Sequence, residues 1–166
     1  LFDGKMLNAG SYNWAKTAEN NHFENVFFSL EPERIAYYEK YFKYMQDVAI
    51  PAAEAEEVEW KNHRPGPAPV DEDLVLELNG QRFPRSAGSP GGHVEEILIR
   101  AINAAKSSID IAMFSFYSKP IAEALLAAKE RNVKVRLAFD EGQAKLMKLD
   151  EWFAYNGFDV RMVAGP

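Results

Sequence analysis

The opening of the chain carries the polar residues with the clearest chemical spacing. Asp3 lies in Phe-Asp-Gly-Lys, a turn signal between two short apolar runs, and the second run ends in Gly-Ser-Tyr-Asn at residues 10–13. Residues two apart on an extended chain point the same way, so the Ser11 hydroxyl and the Asn13 amide can donate to the oxygens of one phosphate. Glu24 stands in a further apolar segment, where a carboxylate needs a partner. These residue types at this spacing favour a phosphate site.

The same residues resemble the signature of the phospholipase D superfamily. In that signature His-x-Lys is followed after four residues by Asp, after six more by Gly-Ser-x-Asn, and downstream by Glu-Asn. Asp3, Gly10, Ser11 and Asn13 match its second part in type and spacing, and Glu24 with the following Asn resembles the downstream element. The His-x-Lys would lie five and three residues before the first residue, so we expect the intact protein to supply it.

The resemblance implies a phosphodiesterase that uses no metal and no cofactor. In the family, one histidine attacks phosphorus to form a phosphohistidine, and a second protonates the leaving oxygen. By position, Ser11 and Asn13 are then the substrate-binding residues that hold the phosphate. Asp3 and Glu24 are carried over as catalytic-site residues, with Glu24 orienting the missing histidine by binding its second nitrogen.

Plainer roles for these residues stay open. Asp3 alone would be a turn aspartate, and Ser11 and Asn13 alone would be ordinary turn or capping residues. None of the three histidines continues as His-x-Lys, since they give His-Phe-Glu, His-Arg-Pro and His-Val-Glu. We therefore expect these 166 residues by themselves to be inactive. The histidines also lack the spacing of zinc ligands.

Composition sets broad limits on the protein class. The chain is 47% hydrophobic and 13% aromatic, which is typical of a globular protein. Its net charge of −6 argues against tight non-specific nucleic-acid binding, although a local basic groove stays possible. The chain has no cysteine, and no apolar run approaches the ~18–20 residues of a membrane span. The cellular compartment is not readable from these features.

The first 72 residues predict one helix and one linker. Pro32 after an acidic residue marks a helix start, and an apolar stripe at helical spacing predicts which side chains face a core: Ile35, Tyr38, Phe42 and Met45. From residue 49 to residue 72 the chain is acidic and then proline-rich, which predicts a semi-extended linker anchored by Trp60.

Residues 73–166 predict an α/β fold. Asn79-Gly80 favours a tight hairpin, and strands then alternate with helices, so we expect an open, largely parallel mixed sheet flanked by helices, as in phospholipase D-like domains. The apolar run 109–116 is typical of a strand covered on both faces. Ligands collect at the carboxyl ends of such strands, where the polar residues are Ser115, Ser118 and Asp140; Asp140 also suits a helix N-cap.

The order of the segments is the reverse of the family order. Residues 1–48 resemble the second half of a phospholipase D-like domain, 49–72 form the linker, and 73–166 resemble the first half. Either the chain joins the tail of one repeat to the head of the next in a tandem enzyme, or it is a circularly permuted domain. We favour the tandem arrangement, which predicts a complementary half-domain from the same parent chain or a second protomer as partner.

Three functions compete at this point. The first is a phosphodiesterase that cleaves phospholipid headgroups, and the acidic balance of the chain favours it over the second, a nuclease of the same superfamily. The third is a non-catalytic scaffold or binding module that kept the fold and lost the nucleophile. The phosphodiester substrate is therefore a phospholipid or a nucleic acid.

Overall fold

The computed structural model describes residues 1–11, 13–14, 24–57, 65–71, 75–143 and 149–163. The chain divides into two compact units. The first comprises residues 1–11, 26–76 and 82–94, and the second comprises 12–25, 77–81 and 95–166. In the described part of the chain, no helix has the length and apolar character needed to span a bilayer.

The first unit begins with an antiparallel ribbon. Strand β1 (Leu7–Gly10) pairs with strand β2 (Val26–Ser29) along its whole length. Before β1, Phe2 forms a bridge with Met6 around a tight turn. The two central residues of that turn have φ values of 51° and 61°, as a type I′ turn requires. This confirms the turn that Phe-Asp-Gly-Lys predicts between the two apolar runs.

Helix α1 (Pro32–Val48) begins at the predicted proline. The predicted inward stripe is wrong in its second half, because Phe42 is 52% and Met45 is 40% exposed. The inward face instead runs through Ile35 and Tyr37 and continues along two half-buried tyrosines, 41 and 44. A tyrosine hydroxyl can donate a hydrogen bond to a main-chain carbonyl, which a phenylalanine cannot do. The face of the helix that points inward is therefore displaced by about one residue from the predicted stripe.

The predicted linker is partly structured. Residues Ala52–Glu57 form a 3₁₀ helix that the composition did not predict. Residues 65–69 form neither helix nor strand, and residue 70 forms a bridge with Ala87. The predicted anchor, Trp60, and the nearby His63 lie outside the described residues.

A short hairpin follows the linker. Strand β3 (Val75–Leu78) and strand β4 (Gln81–Pro84) are joined by Asn79 and Gly80, whose φ values are 51° and 83°. Positive φ at both positions confirms the predicted turn chemistry, because Asn and Gly tolerate this conformation at low cost.

In its described residues, the second unit contains a parallel three-stranded sheet with helices between the strands. In chain order the elements are α2 (Val94–Ala104), β5 (Ser108–Met113), α3 (Lys119–Glu130), β6 (Lys134–Asp140), α4 (Leu149–Tyr155) and β7 (Asp159–Val163). The strand order is β5-β6-β7, and both pairs are parallel. The predicted α/β class with strands and helices in alternation is confirmed.

Aromatic rings fill the core of this second unit. Phe153 of α4 is fully buried, and its ring centre lies 5.1–5.8 Å from those of three buried phenylalanines: Phe116, Phe139 and Phe158. Leu125 of α3 and Leu137 of β6 are also fully buried beside them. Burial of this much apolar surface holds the helices against one face of the sheet.

The other face of the sheet is open, and here the prediction for 109–116 is wrong. Asp110 and Ala112 of β5 are exposed, and Phe114 just beyond the strand is 65% exposed. Along β6 exposed and buried residues alternate up to Leu137, as expected of a strand with one covered face. Within the described residues, therefore, the helices cover a single face of this sheet.

Candidate phosphate-binding segment

Asp3 and Ser11 belong to the first unit and lie beyond opposite ends of β1. Asp3 occupies the tight turn that precedes the strand and is exposed. Ser11 follows the last residue of the strand and is also exposed. An extended strand of this length holds its ends roughly 10 Å apart, so β1 separates the two side chains. The observed place of Asp3 agrees with the plainer turn role, and its catalytic role stays a prediction.

Gly10 closes the ribbon by pairing with Val26. Its φ of 156° lies in a region that residues with a side chain rarely adopt, which accounts for a glycine at this point of the motif. Ser11 follows directly along the chain, and Glu24 precedes Val26 by two residues.

Asn13 and Glu24 belong to the second unit. Asn13 is exposed, and Glu24 is half-buried. The sequence places Glu24 in an apolar segment, but β2 begins only at Val26, so the carboxylate precedes the strand. Its sequence neighbours His22 and Phe23 lie outside the described residues.

The carboxyl edge of the parallel sheet was the second candidate location. The Asp140 carboxylate accepts a hydrogen bond from the Gln143 amide at 2.9 Å, as a helix N-cap does. Ser118 caps α3 in the same way, accepting from the Ile121 amide at 3.2 Å, and its hydroxyl donates to Glu95 at 2.6 Å. Capping thus accounts for both side chains without a ligand.

A charged pair on the open sheet face escaped the sequence analysis. The Arg136 guanidinium donates two hydrogen bonds to Asp110, at 2.6 and 2.7 Å, across neighbouring strands. This bidentate bond lowers the pKa of the Asp110 carboxyl below its usual range. An aspartate in the middle of an apolar run was the available signal that one face of β5 is open.

His93 is exposed and directly precedes α2. Among the described residues, no group of three or more His, Cys, Asp or Glu side chains is close enough to hold a metal ion.

Comparison with known proteins finds a family match inside the second unit. Residues 98–163, from α2 to β7, match the family model described as cardiolipin synthase, PLD-like domain. This segment is therefore similar to domains of the phospholipase D superfamily. The predicted superfamily is thereby confirmed on residues that played no part in the motif at positions 3–25.

A solved structure of a phospholipase D family member is among those similar to the chain. It is the phospholipase D family member Nuc from Salmonella typhimurium, with 32% sequence identity and a TM-score of 0.43. The match covers 46% of this chain and 52% of that chain, so this protein spans about half the length of Nuc. No curated protein matches the chain.

Proposed function

We propose that this chain is part of a phosphodiesterase that cleaves phospholipid headgroups through a phosphohistidine intermediate. The observation that carries the proposal is the coincidence of two separate signals in one short chain. A phospholipase D-like segment occupies residues 98–163, and the Asp, Gly-Ser-x-Asn and Glu-Asn spacing of the same superfamily occupies residues 3–25. The acidic net charge of −6 favours a lipid over a nucleic acid.

In the proposed reaction a histidine nitrogen of the intact protein attacks phosphorus. The bond from phosphorus to the headgroup oxygen breaks, and a second histidine gives that oxygen its proton. Water then attacks the phosphorus of the phosphohistidine and gives a proton to the second histidine, which the first step left deprotonated. The bond from phosphorus to the histidine nitrogen breaks, and a phosphate monoester leaves. Ser11 and Asn13 donate to the non-bridging oxygens, where negative charge develops. Their exposure at the end of β1 and beyond it supports this role.

Glu24 positions the imidazole in this proposal. A carboxylate bound to one ring nitrogen fixes the tautomer and stabilises the charged imidazolium. Its half-buried place supports the role, because a partly desolvated carboxylate interacts more strongly with a cationic ring. Asp3 remains the weakest of the four candidates, since its turn accounts for it.

A complementary half-domain is the proposed partner, from the same parent chain or from a second protomer. Two exposed surfaces support this, one in each unit. In the first unit, Val26 and Phe28 share the ribbon face opposite Leu7 and are 48% and 62% exposed, whereas Leu7 is buried. In the second unit, one face of the parallel sheet is open. Isolated two-stranded ribbons are marginal in water, so a further strand or helix would stabilise the first surface.

The decisive experiment uses the complete protein with its His-x-Lys. Ser11→Ala and Asn13→Ala should each lower kcat by about 10²–10³-fold on phosphatidylcholine vesicles, because each removes a donor to the developing charge. Ser108→Ala is a matched control, since Ser108 is exposed at the amino end of β5. Glu24→Gln should lower kcat and shift the acidic limb of its pH profile, whereas Glu33→Gln in α1 should do neither.

An acid-labile, base-stable phosphate adduct on histidine should accumulate during turnover. Equal activity of Ser11→Ala, Asn13→Ala and wild-type protein would rule out the phosphate-binding assignment. Single-stranded DNA serves as the competing substrate, and preferential cleavage of it would identify the nuclease alternative. A complete protein without histidine and lysine before Asp3, inactive on both substrates, would identify the scaffold. The 166 residues alone should not turn over a chromogenic phosphodiester.

A further inference from the structure

Three tyrosines of α1 form a ladder on one face of the helix. The Tyr37 and Tyr41 rings are 6.2 Å apart and within 9° of parallel, and the Tyr41 and Tyr44 rings are 6.0 Å apart at 26°. Spacings of four and three residues place side chains above one another on a helix, so the stacking follows directly from the sequence. The ladder lies entirely within the first unit.

Each hydroxyl of the ladder donates to a main-chain carbonyl. Tyr37 donates to the oxygen of Pro69 at 3.0 Å, and Tyr44 donates to the oxygen of Gly66 at 2.5 Å. Tyr41, between them, donates to the oxygen of Ser89 at 3.2 Å. Three phenols on one helix thus bind two separate stretches of backbone.

The stretch bound by the outer two tyrosines is proline-rich. Residues 65–69 read Pro-Gly-Pro-Ala-Pro and form neither helix nor strand. A proline has no amide hydrogen to donate, so such a segment presents mainly carbonyl oxygens. Aromatic side chains with hydroxyl donors are the surface that proline-rich segments recognise in other proteins, because an extended proline-rich chain loses little entropy on binding.

The loop at residues 86–92 forms the opposite wall. The Ala68 amide donates to the oxygen of Pro90 at 2.6 Å, and Ala68 is buried. A Cβ added to Gly91 would lie 2.7 Å from Cβ of Pro67, so the glycine is what lets the loop approach this proline. The segment is therefore held on both sides.

We propose that the tyrosine face of α1 and the loop 86–92 form a polyproline-binding groove that the chain fills with its own residues 65–69. Burial, together with the neighbouring tyrosines and Asp71, raises the pKa of Tyr37 to about 12, as expected when the groove is closed. A proline-rich segment in trans can bind only where the chain's own segment leaves, so the contact in cis is autoinhibitory. This inference is independent of the proposed phosphodiesterase activity.

The first test measures hydrogen exchange at the Ala68 amide of the full chain. The double substitution Tyr41→Phe and Tyr44→Phe keeps the rings and removes two hydroxyls, and should speed this exchange roughly 5- to 150-fold. Tyr155→Phe is the matched control, because Tyr155 is 90% exposed, and should leave the rate unchanged. Slow exchange at Ile35, whose amide donates to the carbonyl oxygen of Glu31 at the start of α1, verifies that the helix is intact.

The second test supplies the segment in trans. A synthetic peptide with the sequence of residues 65–71 is titrated into the full chain carrying Pro67→Ser and Pro69→Ser, and the tyrosine ring signals are followed by NMR. Saturable shifts of the ladder tyrosines are expected, and a peptide with alanine at each proline should produce none. Unchanged Ala68 exchange in the double variant, or equal binding of the two peptides, would overturn the groove. Failure to fold in the proline variant leaves the exchange test to decide.

Discussion

The titration of Tyr37 gives the sharpest test of the first unit. The Tyr37 side chain is 5% exposed, and its hydroxyl donates to the oxygen of Pro69. A phenolate at this point would lose that donor and would lie against a carbonyl oxygen. Burial is the largest cause of the raised pKa, to about 12 from an ordinary value of 10.0. The folded state therefore favours the neutral phenol.

The sign of the pH dependence follows from this difference. Below pH 10 the phenol is neutral in both the folded and unfolded states, so its full contribution to stability is present. As the pH rises from 10 towards 12 the unfolded state loses the proton first, and that contribution disappears. A shift of about two units corresponds to at most about 2.7 kcal/mol. We expect about 1–2 kcal/mol, because water near the segment screens part of the effect.

The assay is urea unfolding followed by circular dichroism at a series of pH values. Tyr37→Phe should cost about 1 kcal/mol at neutral pH through the lost hydrogen bond. Its free energy of unfolding should then fall less steeply between pH 10 and pH 12 than that of the wild type, because phenylalanine does not ionise. The difference between the two curves is the measured quantity. Tyr155→Phe should follow the wild type, and parallel curves for Tyr37→Phe and wild type would refute the reasoning.

Two further predictions concern packing. Phe153→Ala should destabilise the second unit by about 3–5 kcal/mol, because it empties a fully buried site, whereas Tyr155→Ala in the same helix should cost less than about 1 kcal/mol in thermal or urea unfolding. Gly88→Ala should lower the free energy of unfolding by about 1–3 kcal/mol, since the added Cβ would lie 2.4 Å from the Tyr41 ring. Gly66→Ala is the control, because an added Cβ there has nothing within 4 Å. An equal loss of stability in Gly66→Ala would contradict the prediction.

Turns and helix ends could be predicted from the sequence wherever one or two residues determine the backbone conformation. Asn79 and Gly80 tolerate positive φ and form the hairpin turn, and Pro32 starts α1 because its missing amide is not needed there. Gly157 ends α4 because glycine adopts the positive φ, here 71°, that commonly follows the last residues of a helix. These features depend on the dihedral preferences of the residues themselves, and so they do not depend on contacts with the rest of the chain.

Burial was less predictable, because whether a side chain is buried depends on which distant part of the chain packs against it. Phe42 and Met45 fit an apolar stripe as well as the tyrosines do, and hydrogen-bond partners on distant backbone segments decided between the two faces of α1. The apolar run of β5 likewise predicted two covered faces, whereas the described residues cover one. The pattern of apolar residues along a strand does not specify whether helices cover one face of its sheet or both.

By itself, the sequence determined the α/β class, the similarity to the phospholipase D superfamily, the turns and the spacing of the candidate phosphate ligands. Only the tertiary structure decided that β1 separates Asp3 from Ser11, that Asp140 and Ser118 cap helices, and that a proline-rich segment lies on a tyrosine ladder. The physical reason is that turn type, helix start and strand period are set by interactions among near neighbours. Capping partners, open faces and bound segments are set by contacts between residues far apart in the chain, which spacing alone does not encode.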